Sequence, residues 1–246
     1  MQQIQLAERV RHEVEHGSVI LRMNEANWGW HSAAGKIRRQ RRADFLSGPA
    51  PQLGAGAAVL EVGCGTGTFT GALAEKFGGL VSIDVSEDLL QRAREKFPLL
   101  GFEQRDIHQT GYPSASFDYV AGCSVLHHLD CGLALAEIRR ILKPGGRLRF
   151  CEPNMLNPQI FLQKNWPWLK RRMGDSPDET AFTPGSMRAA LQQAGFVGIT
   201  VEPFEFLHPY VPSWLIGPVT GLERWLQATP VRQIAGSLRI EAFKPA

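Results

Sequence analysis

The chain has 246 residues, of which 43% are hydrophobic and 21% are charged, which suits one globular domain and excludes extended disorder. Its formal net charge of +3 is well below the basic excess of a dedicated nucleic-acid binder, so we expect no nucleic-acid partner. The four cysteines form no CxxC pair and no His/Cys cluster, which argues against a metal site or a disulfide framework and favours a reducing, cytoplasmic location.

The first fifty residues predict helices. Apolar residues recur at helical spacing over residues 2–16, and no signal-peptide core interrupts them. A loop rich in aromatic residues follows, and then a basic helix from about residue 36 to 46. We expect the arginines of that helix to form a solvated face, with phosphate binding as the minor alternative: Arg38, Arg39, Arg41 and Arg42.

Strands and helices alternate through the middle of the chain. Ser86 is expected to cap one of the helices, with acidic residues favourably placed in its first turn. Strands joined by helices imply a doubly wound α/β sheet with parallel pairing. The predicted strands are 57–62, 80–84, 100–104, 119–122 and 147–151, and the predicted helices are 68–77, one after Ser86, and 133–142, which a KPGG turn ends.

The last third of the chain has a different character. Residues 157–173 are aromatic and basic, and Thr183 and Pro184 then open a helix that ends at Gly195. A strand beginning at residue 197 follows, then an amphipathic insert, PSWLIGPVTGLERWLQ, and a final strand at 237–243. The late apolar segment is short and broken by prolines, so no transmembrane segment is expected.

Three glycines follow the first predicted strand in the stretch VLEVGCGTGTF. Glycine suits a sharp turn whose amides a ligand approaches closely. The dinucleotide fingerprint requires a glycine where this chain has Thr68, and the P-loop requires a lysine that is absent. Glu61 precedes the first glycine, and Asp84 ends the next strand at the distance expected for a ribose-binding carboxylate.

Further motifs follow in order: Asp106 after the third strand, SFDYVAGCSVLHHLD around the fourth, and EIRRILKPGGRLRF before the fifth. In this order the chain resembles the class I S-adenosylmethionine-dependent methyltransferases, within the small-molecule branch that includes quinone and sterol-type enzymes. The resemblance implies a Rossmann-like, seven-stranded sheet of order 3-2-1-4-5-7-6 with strand 7 antiparallel, and S-adenosyl-L-methionine as cofactor. It places the donor's methionine moiety at Glu61, Gly63, Cys64, Gly65, Thr66 and Gly67, its ribose and adenine at Asp84, Val85, Asp106 and Ile107, and its sulfonium near Cys123 and Ser124.

The resemblance also divides the chain by function. It implies a helical N-terminal lid at residues 1–50 and a methyltransferase domain at 51–246, with acceptor-side insertions at about 155–182 and 205–232. For each tryptophan, packing of a cap onto the sheet is an equally good explanation. The lid would bring aromatic faces to the sulfonium through Trp28, Trp30 and His31. The insertions would line the acceptor pocket through Trp166 and Trp168.

Two histidines follow the fourth predicted strand. His128 stands where many relatives carry a histidine near the donor, and His127 precedes it. Either is a candidate general base that takes a proton from an acceptor hydroxyl, and either is equally well explained as a residue that caps the next helix.

The sequence narrows the acceptor. The [ND]PP[YF] motif of nucleic-acid amine methylation is absent after the fourth strand. No cysteine follows a proline, as the nucleophile of cytosine C5 methylation usually does. The tryptophan-rich insertions favour a small acceptor that is apolar or aromatic, lipid-like, or sugar-containing, and they leave a peripheral membrane contact open. The alternatives are a non-catalytic S-adenosylmethionine-binding protein of the same fold and a nucleotide-dependent oxidoreductase, although Tyr-x-x-x-Lys is absent.

Overall fold

The structure is a computed structural model that describes residues 2–23, 29–54, 56–176 and 178–246. Trp28 lies outside the described residues. Ten α-helices and seven strands are assigned within the described part of the chain. The strands are β1 (Ala58–Val62), β2 (Gly79–Asp84), β3 (Gly101–Gln104), β4 (Phe117–Cys123), β5 (Leu142–Pro153), β6 (Val197–Phe204) and β7 (Ser237–Phe243).

The strands form one sheet of order β3-β2-β1-β4-β5-β7-β6. The first five strands pair in parallel, and β7 runs antiparallel to both β5 and β6. The doubly wound, Rossmann-like fold that the sequence predicts is therefore confirmed. The carboxyl ends of β1 to β5 meet at one edge, which is where such sheets bind ligands.

Helices cover both faces of the sheet. They are α1 (Gln2–Met23), α2 (Ala33–Ser47), α3 (Ala50–Leu53), α4 (Thr70–Ala74), α5 (Glu87–Lys96), α6 (Cys131–Ile141), α7 (Pro158–Asn165), α8 (Pro167–Met173), α9 (Pro184–Gln193) and α10 (Ile216–Gln227). Short 3-10 turns occupy Leu126–His128, Ser213–Leu215 and Pro230–Ile234.

Alternation along β1 shows how the core divides into two layers. Leu60 and Val62 pack into a cluster with α6 and α9, whereas Val59 points to the other face and packs with α2 and α4. Successive side chains of a strand point to opposite faces, so a strand buried on both sides reads as a continuous apolar run. This explains why the run before the glycine turn is apolar except at Glu61.

Side-chain caps set the start of several helices as the sequence predicts. Ser86 accepts a hydrogen bond from the amide of Leu89 at the start of α5. At the start of α9, Thr183 and Ser186 form a capping box with Pro184 in the first turn. Such caps satisfy amides that the helix itself leaves without a partner.

Several predicted boundaries differ from the structure, among them the first helix, which extends past residue 16 to Met23. The helix predicted at 68–77 is shorter, Thr70–Ala74, because the glycine turn extends to Phe69. The KPGG segment does not separate a helix from a strand but belongs to β5, which begins at Leu142. Gly145 has φ +73° there, so the irregularity is absorbed within the strand. Among the described residues, no helix is long and apolar enough to cross a membrane.

Candidate functional site

A cavity of about 620 Å³ opens at the carboxyl ends of the parallel strands. The glycine turn, the end of β2 and the end of β4 form its floor. Helices α1 and α2 cover one side, and α7 and the segment after β6 cover another. Most of the residues that the sequence singles out therefore come together in one place.

The three glycines of the turn are required for three different reasons, and each has positive φ. A Cβ at Gly63 would lie 2.4 Å from a methyl group of Val125, and one at Gly67 would lie 3.0 Å from the Phe97 ring. A Cβ at Gly65 would meet nothing within 4 Å. Gly63 and Gly65 line the cavity together with Cys64 and Thr66, whereas Gly67 lies behind them. The turn thus exposes backbone to the cavity chiefly at Gly65.

Asp84 stands at the end of β2 with both carboxylate oxygens engaged. Oδ2 accepts from the amide of Gly65 at 2.9 Å, and Oδ1 accepts from the amide of Ser86 at 2.9 Å. Burial raises the pKa of Asp84, and the amide hydrogen bonds oppose that rise. Asp84 and Val85 line the cavity, and a carboxylate can accept more hydrogen bonds than these amides donate. Asp84 therefore fixes the glycine turn and still has acceptor capacity for a ligand.

Glu61 does not line the cavity. It is buried, and its Oε2 accepts from the hydroxyls of Thr70 at 2.6 Å and Ser82 at 2.7 Å. Burial raises the pKa of Glu61 to about 7, although the two hydroxyl bonds oppose the change. The structure thus gives Glu61 a supporting position beneath the turn, and direct contact with a donor's methionine moiety stays a prediction.

The third strand places one of its two candidates at the cavity. Ile107 is buried and lines the cavity, but Asp106 accepts hydrogen bonds from the amide of His108 at 2.9 Å and from its Nδ1 at 2.6 Å. Burial would raise the pKa of Asp106, but His108 outweighs it and lowers the pKa. Asp106 is not among the cavity-lining residues, and contact with adenine stays a prediction.

Cys123 and Ser124 line the cavity at the end of β4. Ser124 has φ +56°, a strained conformation for a residue with a side chain. Burial opposes ionisation of the Cys123 thiol, but a hydrogen bond from Cys151 and the charge of Arg42 outweigh it and lower its pKa to about 7. The chain therefore presents a polar, strained corner next to the glycine turn.

The solvated basic face predicted for α2 is wrong for two of its arginines. Arg42 is buried, with Nη2 donating to Glu205 Oε2 at 2.6 Å and to the Ser237 hydroxyl at 2.6 Å. Arg38 Nη2 lies 2.9 Å from the same carboxylate oxygen. Both arginines line the cavity. The prediction failed because their partner, Glu205, lies more than 160 residues further along the chain and has no local sequence signal.

The aromatic candidates separate in space. Trp30 lines the cavity, packs edge-on against Phe69, and lies under the guanidinium groups of Arg38 at 5.7 Å and Arg42 at 5.2 Å. Its face therefore already meets two cations of the protein itself. The remaining candidates lie outside the cavity lining, and the tryptophans among them are largely exposed: His31, Trp166 and Trp168.

His127 is the more deeply buried of the two histidines. Its Nδ1 lies 2.6 Å from Glu152 Oε2, and its Nε2 lies 3.4 Å from Glu179 Oε1. Burial lowers the pKa of an imidazole, but the two carboxylates outweigh it and raise the pKa of His127 to about 9. Glu152 also accepts from the amides of Val125 and Leu126 at 3.0 and 2.9 Å. The result is an oriented carboxylate–histidine pair in which His127 lines the cavity and Glu152 is fully buried.

His128 contacts two residues of α1, Glu13 and His16, and so connects this helix to the end of β4. Its Nδ1 lies 2.9 Å from Glu13 Oε2, and its ring stacks near His16 with centroids 5.7 Å apart. Burial would raise the pKa of Glu179, but the hydrogen bond from His127 and the charges of the two histidines and of Lys164, its ion-pair partner, outweigh it and lower the pKa. His127, His128 and Glu179 could also hold a metal ion, since their ligand atoms lie within 4.8 Å of one another.

Several cavity residues were not predicted from the sequence: Glu13, His16, Arg38, Arg42, Glu179 and Glu205. Glu152 was not predicted either, although one signal could have found it. It ends the fifth strand in the segment RFCEP, as Asp84 ends the second, and carboxyl ends of parallel strands share one edge.

Several known proteins resemble this chain in sequence. Residues 60–150 match the methyltransferase domain family. The 27-O-demethylrifamycin SV methyltransferase of Amycolatopsis mediterranei is 33% identical over 134 residues, which cover 51% of this chain and 49% of that protein. An uncharacterized 37.1 kDa protein in a Streptomyces fradiae transposon is 40% identical over 106 residues, 40% of this chain and 31% of that protein. The compactin diketide synthase of Penicillium citrinum is 30% identical over 163 residues, 58% of this chain and 6% of the synthase. The chain thus spans less than half the length of these relatives.

Solved structures share the fold at low sequence identity. The CurJ carbon methyltransferase aligns over 91% of this chain and 58% of its own, with a TM-score of 0.64 and 19% identity. An S-adenosylmethionine-dependent methyltransferase from Mesorhizobium loti aligns over 82% of this chain and 97% of its own, with a TM-score of 0.59 and 24% identity. These structures extend the likeness beyond residues 60–150 to nearly the whole chain.

Proposed function

Because this chain carries a methyltransferase domain at residues 60–150 and the complete sheet order of the S-adenosylmethionine-dependent methyltransferases, we propose that it transfers a methyl group from S-adenosyl-L-methionine to a small acceptor. One observation carries the proposal. The glycine turn, Asp84 and His127 line the same cavity, and Glu152 orients His127, so a donor cradle and a proton acceptor share one cavity.

The residues of the donor side fit S-adenosylmethionine. The open position at Gly65 leaves room for a ligand against the backbone, and the Asp84 carboxylate at the cavity wall suits ribose hydroxyls. Arg38 and Arg42 carry one positive charge more than Glu205 neutralises, which suits the carboxylate of the methionine moiety. Arg38 Nε and Glu205 Oε1 are buried without a partner, so this corner has unsatisfied polar capacity that a ligand can meet.

Of the two histidines, His127 is the better general base. Glu152 accepts from its Nδ1–H, so Nε2, which lies 3.4 Å from Glu179 Oε1, is the nitrogen that can take a proton from an acceptor. Because the pKa of His127 is raised to about 9, only the neutral minority of the rings acts as base at neutral pH, and transfer should rise as the pH approaches 9. When bound, S-adenosylmethionine supplies an electrophilic methyl group on a sulfonium. His127 then removes the proton of the acceptor, and the apolar walls of the cavity exclude water from the reacting atoms. His128, bound to Glu13 on α1, positions the cover of the site.

The N-terminal helix acts as the lid. Glu13, His16 and Gly17 line the cavity, and Arg9 donates to the His128 carbonyl at 3.2 Å. A Cβ at Gly17 would lie 2.5 Å from the Ser86 hydroxyl, so only glycine allows α1 to cross α5 this closely. The proposed lid comprises residues 1–50, and its Trp30 ring lies beneath the guanidinium groups of Arg38 and Arg42.

We further assign the acceptor to an apolar, polyketide-like class. Two observations support this: the relatives include a rifamycin methyltransferase and several polyketide synthases, and the acceptor side of the cavity contains Ile160, Met173 and Leu207 beside the polar pair. The test is transfer of labelled methyl from S-adenosylmethionine to hydroxylated polyketides, with mass spectrometry of the product. If the protein binds the donor tightly but transfers no methyl group to any of them or to components of a whole-cell extract, it is a non-catalytic binding protein.

A further inference from the structure

Aromatic and aliphatic side chains are exposed around the mouth of the cavity. They come from two segments that the catalytic proposal does not use, α7 with α8 and the chain from residue 206 to 236. The exposed fraction reaches 76% for Trp214 and 63% for Trp225. We call this set the collar: Phe161, Leu162, Trp166, Trp168, Met173, Tyr210, Trp214, Leu222, Trp225, Val231 and Ile234.

The two segments form one continuous surface because hydrogen bonds join them. Asn157 Nδ2 donates to the Ile234 carbonyl at 2.9 Å, and Gln159 Nε2 lies 3.1 Å from His208 Nε2. Met173 and Tyr210 belong both to the collar and to the cavity lining. The collar therefore adjoins the cavity at Met173 and Tyr210.

The charge of this surface has one sign. Residues 156–174 contain no acid, and residues 206–236 contain only Glu223, which is buried against Arg41 at 2.7 Å. Four arginines are exposed on or beside the collar: Arg171, Arg172, Arg224 and Arg232. Arg172 also lies 5.5 Å from the Trp168 ring. Exposed tryptophans with arginines and no free acid are the composition of a protein surface that lies at an anionic lipid interface.

We propose that the collar docks on an anionic phospholipid surface, so that the mouth of the cavity faces the bilayer. Docking itself is independent of the proposed function. That an amphipathic acceptor would then enter from the lipid, without crossing water, rests on it. A second copy of the chain is a poorer occupant, because a two-fold contact would set arginines against arginines with no acid to pair them.

Flotation with phospholipid vesicles tests the proposal. The protein should bind vesicles that contain 30% phosphatidylglycerol, and bind neutral phosphatidylcholine vesicles at least tenfold more weakly. Salt at 0.5 M should reduce the difference, because it screens surface charge. The variant Arg171→Glu/Arg172→Glu should weaken binding to anionic vesicles by about twentyfold or more, since each basic residue near such a surface contributes about fivefold.

A triple variant, Trp168→Ser/Trp214→Ser/Trp225→Ser, should lose binding to both kinds of vesicle. The matched controls are Arg92→Glu/Lys96→Glu and Leu99→Ser, exposed positions on and after α5 that should leave binding unchanged. Affinity for S-adenosylhomocysteine, measured in parallel by calorimetry, should stay the same in every variant. A failure of donor binding in the wild type would therefore count against the proposed function alone.

The proposal is overturned if the wild type binds no vesicle, or if the collar and control variants bind equally well. It is also overturned if the protein sediments as a dimer that the triple tryptophan variant converts to a monomer, since the collar would then be an interface between copies.

Discussion

Replacing Glu152 by glutamine should disable the base without disturbing the fold around it. Glu152 Oε1 accepts from the amides of Val125 and Leu126, and the carbonyl oxygen of glutamine can keep both bonds. Oε2 faces His127 Nδ1 at 2.6 Å, and the amide group that replaces it can only donate. Nδ1 must then accept, which places the ring proton on Nε2 and removes the lone pair that takes the acceptor's proton.

The same change should lower the pKa of His127. Against the effect of burial, Glu152 and Glu179 raise that pKa from 6.5 to about 9. This difference corresponds to roughly 3 kcal/mol of preference for the charged ring in the folded protein. Loss of the closer carboxylate, Glu152, should remove about half of that preference or more, so the pKa of His127 should fall by at least about one unit.

The sign of the pH dependence follows from a folded-state pKa above the ordinary value. The stability contributed by His127 is fully present below about pH 6.5 and is lost as the pH rises through about 9. From this group alone, the wild type should lose roughly 3 kcal/mol of unfolding free energy between these limits, and Glu152→Gln about half as much. Urea denaturation at pH 6 and pH 9.5 measures the difference, and the imidazole NMR shifts give the pKa directly.

Turnover completes the test. A general base commonly contributes about 100-fold or more, so Glu152→Gln should lower methyl transfer by at least about 100-fold with donor affinity unchanged. Glu241→Gln, which alters a carboxylate that pairs with Arg149 on the far side of the sheet, is the control and should keep full activity. If Glu152→Gln retains turnover within about threefold of the wild type, or if the pKa of His127 does not move, the assignment of this pair as the base is wrong.

Substitutions at Gly65 and Asp84 test the donor side, and one at Arg42 tests the wall of the cavity beside it. Gly65→Arg should abolish binding of S-adenosylmethionine, because its side chain would occupy the cavity and its φ of +54° disfavours any side chain; calorimetry showing undiminished binding would move the donor elsewhere. Asp84→Ala should weaken donor binding by about 2–3 kcal/mol and Asp84→Asn by less, and losses below about 0.5 kcal/mol in both would remove the ribose from this carboxylate. Arg42→Met should destabilise the fold by about 1–3 kcal/mol in urea denaturation, because buried Glu205 loses its hydrogen bonds from Arg42 and keeps only the ion pair with Arg38.

The sheet could be predicted from the sequence because its signals are local. Apolar runs of five or six residues, a glycine turn at the end of one run and an acid at the end of the next predict the strands and the edge at which they meet, and the resemblance to class I methyltransferases implied their order. The same locality predicts the position of Asp84, whose carboxylate does reach the amide of Gly65.

The rest of the site depends on contacts between distant segments, which a single sequence does not reveal. Glu13 of α1 meets His128, and the arginines of α2 meet Glu205 after β6. In sequence, α2 looks like an exposed basic helix, because periodicity shows which residues share a helix face and not which partner that face meets. The exposed position of Trp166 was missed for the same reason, since tryptophan is as compatible with a surface as with a pocket.

Strain shows where these long-range contacts converge. Of the three residues other than glycine with positive φ among the described residues, Ser124 and Glu205 both line the cavity, and Ala115 does not. Arg42 joins the two, with Nη1 3.5 Å from the Ser124 hydroxyl and Nη2 2.6 Å from the Glu205 carboxylate. Conformations of this kind cost about 1–3 kcal/mol each and persist only where surrounding contacts hold them. The buried ion pair of Arg42 therefore maintains the geometry of the cavity wall as well as its charge, and this explains why so costly a group is buried beside the proposed donor site.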